Sequence, residues 1–199
     1  MTHVHNWNDD YTECLSCGQE GAGDVPSHLG RIRELYISDK ILSRLVFVDT
    51  ETDGASPSTG VLLEFGAVHY QSRETLHCKM YESVGYPPKR TRNTALSPYE
   101  AFVQFDAWLG KTVQGRPIFV ADNLAFDWQW INDGFHRFLG HNPFGYSGRR
   151  INDFYAGLQG DFGDQNAWKK LRITDHDHNP VNDAMGNVEA FARILQGER

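Results

Sequence analysis

The sequence predicts an α/β fold preceded by a small N-terminal extension, and three observations carry that prediction. Strand-length apolar runs come first, helical segments broken by a further strand follow, and residues 1–40 differ in composition from the rest. The extension (1–40) is polar, rich in His, Asp and Gly, and holds two of the three cysteines, so the main domain is placed at 41–199. Within it, 44–50, 60–70 and 74–83 read as strands, the second strongly apolar and the third partly alternating. Turn-rich links around Asp53-Gly54 and Gln71-Ser72 join them, which predicts an antiparallel meander.

Ser97-Pro98 is a cap-then-proline start for a helix that carries Phe102, Phe105, Trp108 and Leu109 at helical spacing. A short strand at 117–121 leads into a helix from about Ala125 to Leu139, whose expected buried stripe is Trp128, Ile131, Phe135 and Phe138. Residues 140–150 read as loop, and 151–159 and 164–171 as short helices. Asn179 then caps a last helix that opens at Pro180 and runs to about Leu195. The chain has no internal repeat and no low-complexity segment.

Composition narrows the function classes. A chain of 199 residues with 40% hydrophobic and 13% aromatic content can bury a sizeable core. It lacks the run of about 18 apolar residues that a membrane span requires, and its polar N-terminus predicts a cytoplasmic protein. A formal net charge of −7 disfavours a broad duplex-binding surface and leaves room for a short or single-stranded substrate. Basic residues do cluster at Lys89-Arg90, Arg149-Arg150 and Lys169-Lys170.

The chemistry is concentrated in carboxylates. Asp49 and Glu51 follow the apolar run Leu45–Val48 and, by the period of two along a strand, point to the same side. Two like charges held together call for a cation between them. Asp127 falls in the first turn of a helix, just past the C-terminal end of a strand, where α/β proteins assemble sites. In His178-Asn179-Pro180-Val181-Asn182-Asp183, the histidine precedes the cap and the acid lies one turn in, so the two are expected to touch. His176 has no acid at the matching offset and is set aside.

Asp49-x-Glu51, Asn123-x-x-Phe126-Asp127 and His178-x-x-x-x-Asp183, in that order over about residues 44–196, resemble the DEDDh superfamily. These are the DnaQ-like 3′→5′ exonucleases, which include proofreading subunits, oligoribonuclease and RNase T. Relatives often carry His-Asn where this chain has Asp122-Asn123. The resemblance implies an RNase H-like fold, with a central mixed five-stranded sheet flanked by helices. It further implies that Asp49, Glu51, Asp127 and Asp183 hold two Mg²⁺ or Mn²⁺ ions and that His178 acts as general base. The products would be nucleoside 5′-monophosphates from single-stranded DNA or RNA 3′ ends. Thr52, Leu62, Leu63 and Asn123 would meet the terminal nucleotide, with Arg149, Arg150 and Lys169 on backbone phosphates. Phe126, Trp128 and Trp130 are the aromatics available for stacking on bases, although the helical stripe assigns Trp128 to the core.

The extension poses a separate question. His3, His5, Cys14 and Cys17, with His28 as a substitute, could bind Zn²⁺, the alternative being a tail with two reduced thiols. Cys78 reads as a core or edge residue. Other functional readings are a proofreading or trimming subunit bound to a polymerase or other nucleic-acid machine, an oligonucleotide scavenger, and a small-molecule phosphodiesterase. Many relatives are dimers, so a homodimer is a further expectation.

Overall fold

Leu45, Val46, Phe47 and Val48 lie at the centre of the sheet and are buried on both faces, which is why this run reads as continuously apolar. The computed structural model describes residues 37–80, 95–163 and 166–198, so His3, His5, Cys14, Cys17 and His28 fall outside the described residues. These described residues belong to a unit that begins at Ile37, and a short helix α1 (Asp39–Leu42) runs across the boundary expected at residue 41.

Strand β1 (Leu45–Thr52) pairs antiparallel with β2 (Leu62–His69), and β2 pairs antiparallel with β3 (Thr75–Lys79), giving the expected meander. On its other side β1 runs parallel to β4 (Ile118–Ala121), which runs parallel to β5 (Gly148–Arg150). The mixed sheet therefore has the order β3-β2-β1-β4-β5. Two expectations are corrected. Residues 148–150 form a strand rather than loop, because Gly-Arg-Arg has no apolar pattern and becomes extended only by pairing with β4. The third strand stops at Lys79; Met80 makes an isolated bridge to Leu96, and 81–83 fall outside the described residues.

Helices cover both faces. On one, α2 (Pro98–Thr112) and α3 (Leu124–Leu139) pack on Val46, Val48 and Phe65 through Phe102, Phe105, Ile131 and Phe135. On the other, α4 (Ile151–Gln159), a 3-10 turn (Ala167–Leu171) and α5 (Pro180–Leu195) enclose Leu45, Phe47 and Val120. Ser97 and Glu100 close a reciprocal capping box at the start of α2, as Ser97-Pro98 suggested. Asn179 Oδ1 accepts from Val181 N and Asn182 N at 3.0 and 3.4 Å and so caps α5.

Gly66 is the register partner of Asp49, and here a side chain is excluded by contact. A Cβ on Gly66 would stand 2.4 Å from Pro180 C and Val181 N, so the first turn of α5 rests directly on the β2 backbone. Replacing Gly66 with Ala must push that turn away from the sheet. We expect a loss of about 1–3 kcal/mol in chemical denaturation, together with weaker binding of any metal held by Asp183, which rides on the displaced turn. An alanine variant with unaltered stability and metal affinity would show that α5 can shift without consequence.

Candidate active site

The alternation along β1 delivers its acids to the site. Leu45 and Phe47 face α5, and Asp49 and Glu51 continue on that side, where their oxygens and those of Asp183 lie within 4.8 Å of one another. Thr50 faces α3 instead, and its N–H and Oγ1–H donate to Asp127 Oδ1 at 3.0 and 2.8 Å. That grip, which gave no sign in the sequence beyond a threonine between two acids, fixes Asp127 at 3% exposure. Asp127 in turn lies with Asp49 and Asp122 in a second group of oxygens within 4.8 Å. Asp49 belongs to both groups and bridges them.

Burial and mutual repulsion keep these carboxylates from ionising together. Burial, reinforced by Asp127, Asp183, Asp122 and Glu51, pushes Asp49 up to about 9. Burial raises Asp127 to about 7 despite the opposing Thr50 bonds. Glu51 and Asp183 are also raised, mainly by burial. Asp183 is 1% exposed, and its two oxygens differ: Oδ1 accepts from Asp177 N at 3.2 Å, whereas Oδ2 accepts no hydrogen bond among the described residues. A buried carboxylate oxygen without a donor is costly, and a divalent cation satisfies it. The all-oxygen donor set suits a hard ion such as Mg²⁺ or Mn²⁺.

The expected contact between His178 and Asp183 is not made. His178 Nδ1 lies 3.6 Å from Glu51 Oε1, and it is His176 that approaches Asp183, Nδ1 to Oδ2 at 3.4 Å. The reason is local: His178 has a φ of 61°, in the left-handed region, so its side chain leaves the path that the staple analogy assumes. The histidine set aside at the sequence level therefore belongs to the site.

Asp122 is the other residue whose place needed the fold. Its carboxylate receives Lys169 Nζ at 3.1 Å and Arg172 NH2 at 3.4 Å. Arg172 also donates to Asn187 and lies over the Trp168 ring, 5.1 Å from its centroid. Lys169 is thus held in an ion pair at the rim rather than free. Arg150 Nε donates to the Asp122 carbonyl at 3.1 Å, while Arg149 is exposed and donates to Gly148 O at 2.9 Å. Thr52 and Leu62 are register partners next to Glu51, Leu63 follows on β2, and Asn123 is exposed at the start of α3. Among the aromatics, Trp130 is 3% exposed and Trp128 packs edge-on against Phe119 at 5.2 Å. Both indoles serve the core, because α3 buries a wider arc than the four-residue stripe suggested; Phe126 is half-buried.

The sheet order is that of an RNase H-like fold, with acids converging at one end of β1. The chain is 29% identical to a 3′-5′ DNA exonuclease, Cap18, of Escherichia coli over 173 residues, covering 75% of this chain and 90% of that protein. Its fold matches the nuclease domain of 3′hExo, a DEDDh family member crystallised with rAMP, with a TM-score of 0.58. That match has 12% identity and covers 77% of this chain and 92% of the other. It also matches E. coli ExoI in a zinc-bound complex with single-stranded DNA, with a TM-score of 0.53 and 15% identity over 76% of this chain and 39% of that one. No family model matches the chain. In motif order and fold the chain is therefore similar to DEDDh exonucleases, and the E. coli relative is described as a 3′-5′ DNA exonuclease.

Proposed function

We propose that the chain removes nucleotides one at a time from the 3′ end of single-stranded DNA, releasing nucleoside 5′-monophosphates. The observation that carries this reading is the gathering of Asp49, Glu51, Asp127 and Asp183 at one end of β1, with His178 at its edge. DNA is preferred over RNA because of the E. coli relative's described activity, and a single strand suits the acidic net charge of −7. Asp49, Glu51, Asp127 and Asp183 would hold two divalent ions, which would stabilise the attacking and leaving oxygens of an in-line phosphoryl displacement.

The remaining work falls to side chains. With Nδ1 turned to Glu51, His178 keeps Nε2 as the nitrogen that accepts a proton from the attacking water. Its side chain is 78% exposed, so the proton passes readily to solvent. Thr52, Leu62 and Leu63 form the floor for the terminal nucleotide beside Glu51. Arg149 and Asn123, both exposed, are our candidates for contacts with the phosphate backbone and the terminal sugar.

Digestion of 5′-labelled single-stranded DNA and RNA with Mg²⁺, Mn²⁺ or EDTA tests this reading. The expected result is a metal-dependent ladder shortening from the 3′ end, faster on DNA. Intact substrate under every condition removes the proposal, and an RNA-only ladder corrects the sugar preference. His178→Ala is expected to lower kcat by roughly 10²–10⁴-fold. Calorimetric titration of the same variant with Mn²⁺ should give an affinity near that of the parent, which separates proton transfer from ligation.

A further inference from the structure

We propose that His176, His178 and Asp183 form a binding site for Zn²⁺ or a similar borderline transition metal, distinct in chemistry from the all-oxygen centre but sharing one carboxylate with it. The proposal rests on the assignment of Asp183 and His178 to the catalytic centre. The three side chains bring one ligand atom each to within 4.8 Å of one another. Tetrahedral zinc, with bonds of about 2.0–2.2 Å, needs its ligand atoms about 3.3–3.5 Å apart. The remaining gap is small for these residues. Asp183 is buried, while the His176 and His178 side chains are 44% and 78% exposed and have room to adjust. Their rings already meet edge to face with centroids 4.8 Å apart.

Asp183 Oδ2 is the oxygen the two centres would share. It is buried, it accepts no hydrogen bond among the described residues, and the group closest in charge to satisfying it is His176 Nδ1 at 3.4 Å. Its sister oxygen is already held by Asp177 N, so Oδ2 is the atom left for a cation. Two imidazoles and one carboxylate are the donors that zinc selects and magnesium does not. His176 lies outside the three motifs. A zinc ion here would withdraw His178 from proton transfer and compete for Asp183, and micromolar zinc therefore inhibits the magnesium-supported reaction.

Cobalt reports the geometry. The full chain carrying Cys14→Ser and Cys17→Ser, which removes the thiols of the extension, would be stripped of metal and titrated with Co²⁺ in millimolar Mg²⁺. One equivalent should bind with visible d–d bands of low coordination and no thiolate charge transfer. His176→Ala should weaken that binding at least about tenfold, the lower end of what losing even a hydrogen-bond partner of a metal ligand costs. His176→Asn serves as a second variant, with circular dichroism confirming that each is folded. The ratio of activity with and without added Zn²⁺, measured within each protein, should rise towards one in both variants. Cobalt binding that is indifferent to His176, or six-coordinate spectra only, overturns the site. The two readings fail separately. A 3′ ladder without His176-dependent cobalt binding leaves the exonuclease standing, and His176-dependent binding without a ladder leaves the metal site standing.

Discussion

Replacing Asp49 with Asn is expected to cut exonuclease turnover by roughly a thousandfold while raising the melting temperature of the metal-free protein. Asp49 is the acid common to both oxygen groups, so its loss damages each half of the proposed two-ion centre. Electrostatic stabilisation of the transferring phosphoryl group is a matter of several kcal/mol, and about 4 kcal/mol corresponds to a thousandfold. The gain in stability has the same origin as the loss of activity. Burial and four neighbouring acids raise the Asp49 pKa to about 9, so the folded metal-free chain holds a proton there that the unfolded chain releases, and an amide of equal size removes that cost. Single-turnover digestion and a thermal melt in EDTA measure the two effects. A variant that is inactive and also less stable would mean that Asp49 contributes structure rather than the cost of a retained proton.

The second large effect is a pH dependence with the opposite sign to that of carboxylates held in salt bridges or by hydrogen-bond donors. Asp49 is raised to about 9 and Asp127 to about 7, against unfolded values near 3.9. Between those limits the folded metal-free chain holds protons that the unfolded chain has released. The unfolded state then binds fewer protons, so stability falls as pH rises. Below about pH 4 both states are protonated and the penalty vanishes. It grows through neutral pH and is complete once pH passes about 9. Divalent ions take the place of those protons, so the rise in melting temperature on adding Mn²⁺ should widen from pH 5 to pH 9. Melts in EDTA and in Mn²⁺ at three pH values test this, and the slope should flatten in the Asp49→Asn variant. A metal-induced shift that stays constant across the range would show that the acids are already ionised in the free protein.

Element type was largely legible because it rests on local patterns. Ser97-Pro98 and Asn179-Pro180 announce helices through caps that the structure then forms with the expected donors. The run from Leu45 to Val48 reads as a buried strand because a central strand is apolar on both faces. Strand β5 was hidden for the complementary reason: Gly148-Arg149-Arg150 has no periodic signal, and its extended form depends on the open edge of β4. The width of the buried arc on α3, which takes in Trp130, likewise depends on what packs around it.

The site divides along the same line. Asp49, Glu51, Asp127 and Asp183 could be chosen from sequence because strand alternation and helix starts constrain where carboxylates point. The sequence by itself therefore determined the order of the main elements other than α1 and β5, and it singled out the four acids and the histidine of the final motif. Only the tertiary structure decided their partnerships: Thr50 with Asp127, His178 with Glu51, His176 with Asp183, and Asp122 with Lys169 and Arg172. Local patterns are set by nearest neighbours along the chain, whereas these pairs join residues on different elements. One of them turns on a single left-handed φ at His178, a backbone choice that no composition or spacing encodes.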